Sequence, residues 1–170
     1  MSLRVAVCTA DDLAVLLAGE TSRHLAHHHR ERFAVQAQGG GYYLLAWRDG
    51  VNVGRASLTV ESKYAPVRRR WTGCAEVNAL AAFPQGQGTG TALLGLAEDL
   101  AHADGHERIG LAVDPDDPGP RRLYERLGYR LWDGGTVVDE WVELLDDGGA
   151  RRHADPSDYL SKPLRESTSG

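Results

Sequence analysis

The chain has 170 residues, of which 42% are hydrophobic and 25% charged, as is typical of one folded domain. Its formal net charge of −5 argues against binding to nucleic acid or to an anionic membrane surface. The chain contains no apolar run near the roughly 20 residues that span a bilayer, and its N-terminus lacks a signal-peptide core, so we expect a cytoplasmic protein without membrane contact. In that compartment Cys8 and Cys74 should be free thiols in the core.

The first forty residues predict one strand followed by two helices. Leu3–Cys8 alternates apolar and other side chains, which indicates a short strand. Thr9, with Asp12 three residues later, is typical of a capped helix start. Ser22 can cap a second helix of about 15 residues that stops before three successive glycines at 39–41.

A hairpin and a loop follow. Tyr42–Arg48 and Val51–Val60 are rich in strand-forming residues, and the intervening Asp49-Gly50 pair is typical of a type I′ turn. Glu61–Thr72 carries basic residues from Lys63 to Arg70 and is expected to be a solvated loop. Anion binding or guidance of a substrate is the alternative role for this basic run.

The second half of the chain predicts alternating strands and helices. The elements are a buried strand Ala75–Phe83, a helix opened by the glycine-rich turn Gln85–Gly90, a strand Arg108–Val113, a helix from Asp117 to Gly128, strands Tyr129–Trp132 and Val137–Leu145, and an edge strand Tyr159–Leu164. Asp146–Ser157 is expected to be polar and turn-rich. Residues 1–165 should form one mixed α/β domain, and residues 166–170 a disordered tail.

The glycine-rich turn carries the first functional signal. It follows a buried strand and opens a helix, where unpaired N–H groups and the positive end of the helix dipole favour a phosphate. Glycines let that phosphate approach the backbone. The turn lacks the Gly-Lys-Ser/Thr ending of a Walker loop and the spacing of a dinucleotide fingerprint. A purely structural tight turn is the alternative.

Two motifs in register resemble one protein family. Gln85-x-x-Gly88-x-Gly90 is similar to the Gln/Arg-x-x-Gly-x-Gly/Ala signature of the GNAT acetyltransferase superfamily. The segment from Asp117 through Leu123-Tyr124-Glu125 to Gly128-Tyr129 resembles that family's second hallmark, a helix that ends in Leu-Tyr-Glu-x-x-Gly-Phe/Tyr. One helix and one strand separate the motifs, as the family requires.

The resemblance implies an acyl-CoA N-acyltransferase-like fold: a mixed, mostly antiparallel sheet of six or seven strands flanked by about four helices. It also implies acetyl-CoA as co-substrate, no metal, and pantetheine lying where two parallel strands splay apart. The expected cofactor-binding residues are Leu80, Ala81, Ala82, Phe83, Gln85, Gly86, Gln87, Gly88, Thr89, Gly90, Thr91 and Asp117. This chain departs from the family in its short loop after Pro84 and in Asp117, where relatives carry Asn.

The resemblance also supplies candidate catalytic residues. Tyr124 matches the family tyrosine that protonates the departing thiolate, and a phenol is a neutral donor at pH 7. Glu76 lies on the buried strand, where relatives carry a general base that acts directly or through water. The structural alternative for Tyr124 is a core aromatic, and for Glu76 it is a salt bridge to an arginine or a hydrogen bond to the backbone. His24 and His28 have metal-ligand spacing without an evident third ligand, so a solvated face or a base from this helix is expected.

The expected reaction is direct transfer of acetyl from acetyl-CoA to a primary amine in a ternary complex, since no nucleophilic Cys or Ser motif supports a covalent intermediate. The acceptor is a small molecule or a peptide, and its identity stays open. Alternatives are another acyl-CoA, an O-acceptor, or a non-catalytic acyl-CoA sensor. Trp141 and the C-terminal strand could also pair two subunits in a homodimer.

Overall fold

The computed structural model describes residues 2–164, which form eight strands and five helices. In chain order these are β1 Leu3–Val7, α1 Ala10–Gly19, α2 Arg23–Ala37, β2 Gly41–Arg48, β3 Val51–Thr59, α3 Ala65–Arg70, β4 Cys74–Ala82, α4 Thr89–Ala103, β5 Arg108–Val113, α5 Pro118–Arg126, β6 Arg130–Leu131, β7 Val137–Leu144 and β8 Ala150–Pro163. The predicted tail, residues 166–170, lies outside the described residues.

The strands form a mixed sheet in the order β1-β2-β3-β4-β5-β8-β6, and β7 pairs with β8 alongside it. Within residues 2–164 the β4–β5 pair is parallel and the other pairs are antiparallel. The predicted mixed, mostly antiparallel sheet is therefore confirmed. The eight strands correspond to the eight segments predicted from the sequence, one more than the six or seven that the resemblance implies, and α3 is one helix more than the four expected.

The predicted local signals at the N-terminal elements are present. Thr9 accepts the Asp12 N–H and donates its own N–H to the Asp12 carboxylate, which completes a capping box. The Ser22 side chain accepts the Leu25 N–H at the start of α2. Asp49 and Gly50 both have positive φ, as a type I′ turn requires, so the hairpin register follows the sequence signal.

The expected loop Glu61–Thr72 is wrong in its centre, where α3 forms. Pro66 lies in the first turn of this helix, where its missing N–H costs nothing. Val67 is fully buried and packs beneath the sheet with Tyr64. The sequence pattern did not indicate this helix, because three arginines follow its one buried apolar residue.

The predictions for the C-terminal third need a second correction. β8 runs without interruption through most of the stretch expected to be turn-rich, and at Leu160 and Ser161 it pairs with both β5 and β6, so it is not an edge strand there. Pro163 lies beyond the pairing with β6, so one side of β8 is open there and the missing N–H is tolerated. The expected strand Tyr129–Trp132 shrinks to the two residues of β6.

The core lies on both faces of the sheet. One face packs against α4 through Leu93, Leu94 and Ala97, which are fully buried. The other face packs against α1, α2 and α3. Cys8 and Cys74 are free, buried thiols, as predicted. Within residues 2–164 none of the helices has the length and apolar character needed to cross a membrane.

Gly54 permits the close contact between β3 and the start of α4, and its replacement tests this packing. A Cβ at Gly54 would lie 2.7 Å from Thr89 Cγ2 and 2.9 Å from the Ala81 carbonyl oxygen. We expect Gly54→Ala to lower the free energy of unfolding by about 1–3 kcal/mol in urea titrations, since overpacking a tight core costs that much. Gly95→Ala is the control, because its Cβ meets nothing within 4 Å and a helical alanine should stabilise by about 0.5–1 kcal/mol. Equal stability of the two variants would contradict this account.

Candidate active site

The separation of β4 from β5 creates the first part of the site. Their parallel pairing ends at Val77 and Leu111, while β4 continues to Ala82 and pairs only with β3. Ala79 has φ of 54° and lies where the β3–β4 register shifts. Such a bulge bends the strand and re-aims its side chains, and bulges recur beside active sites. The β5-facing side of β4 is therefore left unpaired beyond Val77.

The glycine turn forms the second part of the site. Gly86 and Gly88 have φ of 81° and 80°, a conformation that residues with a Cβ rarely adopt. Gly88 is the N-cap of α4, and its carbonyl accepts the Ala92 N–H. The N–H groups of residues 89–91 thus precede the helical hydrogen bonds and point outward at the positive end of the helix dipole. This geometry suits a phosphate group.

The open edge of β4 and the glycine turn line one cleft of about 440 Å³, called the glycine cleft. Of the predicted site residues, it brings together Leu80, Ala81, Ala82, Gln85, Gly86, Gly88, Thr89, Gly90, Thr91 and Tyr124. Glu76 and three of the predicted cofactor-binding residues do not line it. The Phe83 ring lies instead beside the Arg55 guanidinium, Gln87 is exposed, and the Asp117 carboxylate accepts the Gly119 N–H as the cap of α5.

Tyr124 reaches the glycine cleft from α5. Asp117 and Pro118 start this helix, and Leu123 packs toward Gly90, where an added Cβ would lie 3.1 Å from Leu123 Cδ2. Burial raises the pKa of Tyr124 to about 12, and the Asp117 carboxylate adds to the effect. The phenol is therefore protonated at neutral pH and can donate a proton into the cleft.

Four further residues of α5 line the glycine cleft that the sequence prediction did not name. They are Gly119, Pro120, Leu123 and Arg126. The signal was available, because residues three and four apart share one helix face, and Pro120, Leu123 and Tyr124 have that spacing. The sequence motif predicts only Tyr124 and Asp117 as site residues of this helix.

A second cleft of about 850 Å³ lies on the other side of the β4 bulge, and it is called the acceptor cleft for the role that we propose for it. Its walls come from α2, the segment before α3, β4 and β7. Asn78 and Ala79 line the acceptor cleft, whereas the next three residues of β4 line the glycine cleft. The two clefts therefore meet where β4 bends.

Glu76 lies behind the acceptor cleft rather than on its wall. Its carboxylate is fully buried and accepts four hydrogen bonds: Ser62 Oγ at 2.5 Å, Tyr159 Oη at 3.0 Å, the Lys63 N–H at 3.0 Å and Asn78 Nδ2 at 3.3 Å. Burial raises the pKa of Glu76, and these donors oppose the rise. The carboxylate ties the segment before α3 to β4 and β8. Ser62 and Asn78 stand between Glu76 and the cleft, since both of them line it.

The histidines of α2 divide into two groups. His24, His27 and His28 line the acceptor cleft. The ring centroids of His24 and His28 lie 6.4 Å apart, and His24 Nδ1 accepts the Leu144 N–H from β7. Burial and the Arg32 and Arg55 charges lower the pKa of His28 to about 3, so its ring is neutral at pH 7. His29 instead lies buried, 2.6 Å from Tyr43 Oη. Within residues 2–164 no group of three or more metal-binding side chains is present.

The two thiols lack the features of a nucleophile. Burial raises the pKa of Cys8 to about 12 and that of Cys74 to about 11, so neither forms a thiolate at neutral pH. Neither residue lines the glycine cleft or the acceptor cleft. Their environment agrees with the prediction that both are packing residues.

Comparison with known protein families decides the class of this fold. The acetyltransferase (GNAT) family model matches residues 11–129, which is most of the chain. The chain belongs to the GNAT acetyltransferase family. Members of this family are enzymes that transfer acyl groups. The resemblance based on the two sequence motifs is therefore confirmed. No curated protein matches the chain.

Solved structures of GNAT proteins share the fold at low sequence identity. An N-acetyltransferase from Staphylococcus aureus Mu50 has a TM-score of 0.68 at 12% identity, covering 97% of this chain and 100% of its own. The structure of yncA from Salmonella typhimurium with its cofactor acetyl-CoA has a TM-score of 0.64 at 16% identity, and the match covers 100% of this chain and 98% of that chain. A phosphinothricin acetyltransferase from Sinorhizobium meliloti in complex with AcCoA has a TM-score of 0.65 at 17% identity, and the match covers 100% of this chain and 92% of that chain.

Proposed function

We propose that this protein transfers an acetyl group from acetyl-CoA to a primary amine, with the cofactor in the glycine cleft and the amine in the acceptor cleft. The observation that carries the proposal is the course of β4. One strand lines both clefts, and its bulge at Ala79 marks their meeting point. An amine and a thioester held there are close enough to react directly, so proximity supplies much of the rate acceleration.

The residues of the glycine cleft fit acetyl-CoA in two ways. The backbone groups of Leu80 to Ala82 that face away from β3 are unpaired and offer hydrogen bonds to an extended amide chain, as an open strand edge does. The N–H groups of Thr89 to Thr91 offer a cradle for the pyrophosphate, and a Cβ on Gly86 or Gly88 would project into open space. Bound acetyl-CoA supplies an activated acetyl thioester. Arg126 adds a positive charge to the same cleft.

Substitution of Gly88 tests this cradle. Gly88→Ala places a Cβ on a left-handed residue and shifts the adjacent N–H groups, so we expect acetyl-CoA binding in calorimetry to weaken about tenfold, which corresponds to about 1.4 kcal/mol. Gly148→Ala is the matched control. Gly148 also has positive φ and open surroundings, but it lies in the β7–β8 turn outside both clefts. Equal affinity of the two variants would count against the cradle, and no binding by the unsubstituted protein would overturn the proposed function.

Tyr124 is the proposed general acid. Its hydroxyl lies in a largely buried position on the wall of the glycine cleft and remains protonated at neutral pH. A neutral phenol can donate its proton to the departing sulfur, so that coenzyme A leaves as the neutral thiol, a better leaving group than the thiolate. The Asp117 carboxylate, which raises the pKa of Tyr124, helps to keep that proton in place until transfer.

Removal of the Tyr124 hydroxyl should affect the chemical step rather than binding. We expect Tyr124→Phe to lower kcat by about 100-fold, in the range of general acid catalysis, with the acetyl-CoA dissociation constant unchanged. Tyr42→Phe is the control, because the Tyr42 hydroxyl donates to Asp104 away from both clefts. Thiol release from acetyl-CoA reports the rate. Full activity of Tyr124→Phe would remove Tyr124 from the mechanism.

Glu76 is the proposed final proton acceptor, and Ser62 is the group that reaches it. The Ser62 hydroxyl donates to Glu76 Oε1 and lines the acceptor cleft. A proton leaving the amine nitrogen can pass to Ser62 Oγ while the Ser62 proton passes to the carboxylate, so that charge and atoms balance. The raised pKa of Glu76 makes the carboxylate a stronger base than an ordinary glutamate.

The pH profile tests the role of Glu76. As the pH falls through the raised pKa of Glu76, the carboxylate becomes protonated and kcat/KM should fall. Tyr159→Phe removes a hydrogen bond that favours the carboxylate, so its pKa should rise further and the acidic limb should move to higher pH. Tyr42→Phe should leave the limb in place. A limb that does not move in Tyr159→Phe would exclude Glu76 as the base.

A further inference from the structure

Most charged side chains around the acceptor cleft have a protein partner or are exposed to water. Lys63 forms an ion pair with Asp139, and His27 lies 3.2 Å from Glu31. Arg68 donates to the Ser62 carbonyl. Glu61 and Glu140 are exposed, so water screens their charges.

Arg32 differs from these residues. It is half-buried on α2, and its one hydrogen bond runs from Nη1 to Ser57 Oγ at 3.5 Å, so most of its five N–H donors are unused. Among residues 2–164 it forms no ion pair. Burial lowers the pKa of Arg32, and the nearby Glu31 and Asp139 charges offset only part of this effect. A partly desolvated guanidinium without a carboxylate favours an anionic ligand.

The position of Arg32 relates it to the reaction centre. Ser57, which Arg32 contacts, pairs with Asn78 in the β3–β4 register, and Asn78 immediately precedes the bulge. The guanidinium therefore lies at the level where the two clefts meet. An anionic group bound to Arg32 could therefore belong to the same small molecule as an amine placed at the bulge. His28 beside it is neutral and so adds no competing charge.

We infer that the acceptor is a small amine that carries an anionic oxygen group close to its nitrogen, a carboxylate or a phosphonate, and that Arg32 binds this group. The planar guanidinium matches both groups through paired N–H donors. This inference rests on the proposed function and names the acceptor class for the same site. It makes Arg32 a specificity-determining residue.

Matched acceptors test the inference. Each common L-amino acid is compared with its carboxamide and its 1-aminophosphonate analogue, and thiol release from acetyl-CoA is measured. The carboxamide is the intrinsically more reactive amine at neutral pH, because a carboxylate raises the pKa of the neighbouring amino group. A preference for the anionic acceptor therefore reports recognition. We expect kcat/KM to be at least about tenfold higher for at least one anionic acceptor than for its carboxamide, as for a charge-assisted hydrogen bond. The two anionic series show which oxygen group is preferred.

Variants on the same helix complete the test. Arg32→Gln should raise KM for the anionic acceptor about tenfold and abolish the preference over the carboxamide, whereas Arg32→Lys should keep part of it. Arg30→Gln is the matched control, since Arg30 is exposed on α2 and does not line the cleft. Calorimetry with acetyl-CoA should give the same affinity for all of these proteins.

Several results would overturn the inference. Equal or faster turnover of carboxamides would do so while leaving the proposed acetyl transfer intact. A preference that survives in Arg32→Gln would show that another group binds the anion. Turnover of no member of any series would reject this acceptor class. In that case the calorimetry separates the two proposals, because only loss of acetyl-CoA binding would reject the proposed function as well.

Discussion

The end of parallel pairing between β4 and β5 is the constraint on which both clefts depend. Up to Val77 the two strands share backbone hydrogen bonds, and beyond it β4 turns away through the bulge at Ala79. A continuous ladder would occupy the backbone groups that the glycine cleft exposes. A residue with positive φ and a side chain costs free energy, so the surrounding sheet must hold it in place. The antiparallel pairing of β3 with both halves of β4 provides that support.

The buried carboxylate of Glu76 fixes the second boundary of the site. A buried charge is stable only when donors surround it, and Glu76 has four, drawn from three separate parts of the chain. Gly110 on β5 makes room for one of these donors, since a Cβ there would lie 2.2 Å from Tyr159 Oη. The same contacts that satisfy the carboxylate thus hold the segment 62–64 against the sheet and shape the acceptor cleft.

The glycine cleft was predictable from sequence because its signals are local. A glycine turn, a capped helix and a tyrosine at helical spacing lie within short segments, and most of the residues named from them line the cleft. The acceptor cleft was not predictable, because Arg32, Ser62 and Trp141 meet only through the tertiary fold. An alanine gives no sequence signal of a positive φ, so the bulge at Ala79 could not be predicted. The first half of β8 was not predicted, because it forms a two-stranded ribbon with polar residues on both faces and so lacks the alternating apolar pattern.

The attachment of β7 has a consequence for how this enzyme family can diversify. Within the described residues β8 is the only strand that pairs with β7, and β7 supplies Asp139, Trp141 and Leu144 to the acceptor wall. The glycine cleft uses none of these residues. Mutations in β7 can therefore accumulate without disturbing cofactor binding or the α4-facing core. Under the proposed function, selection for a new acceptor can act on this ribbon while the residues proposed to bind acetyl-CoA stay constant.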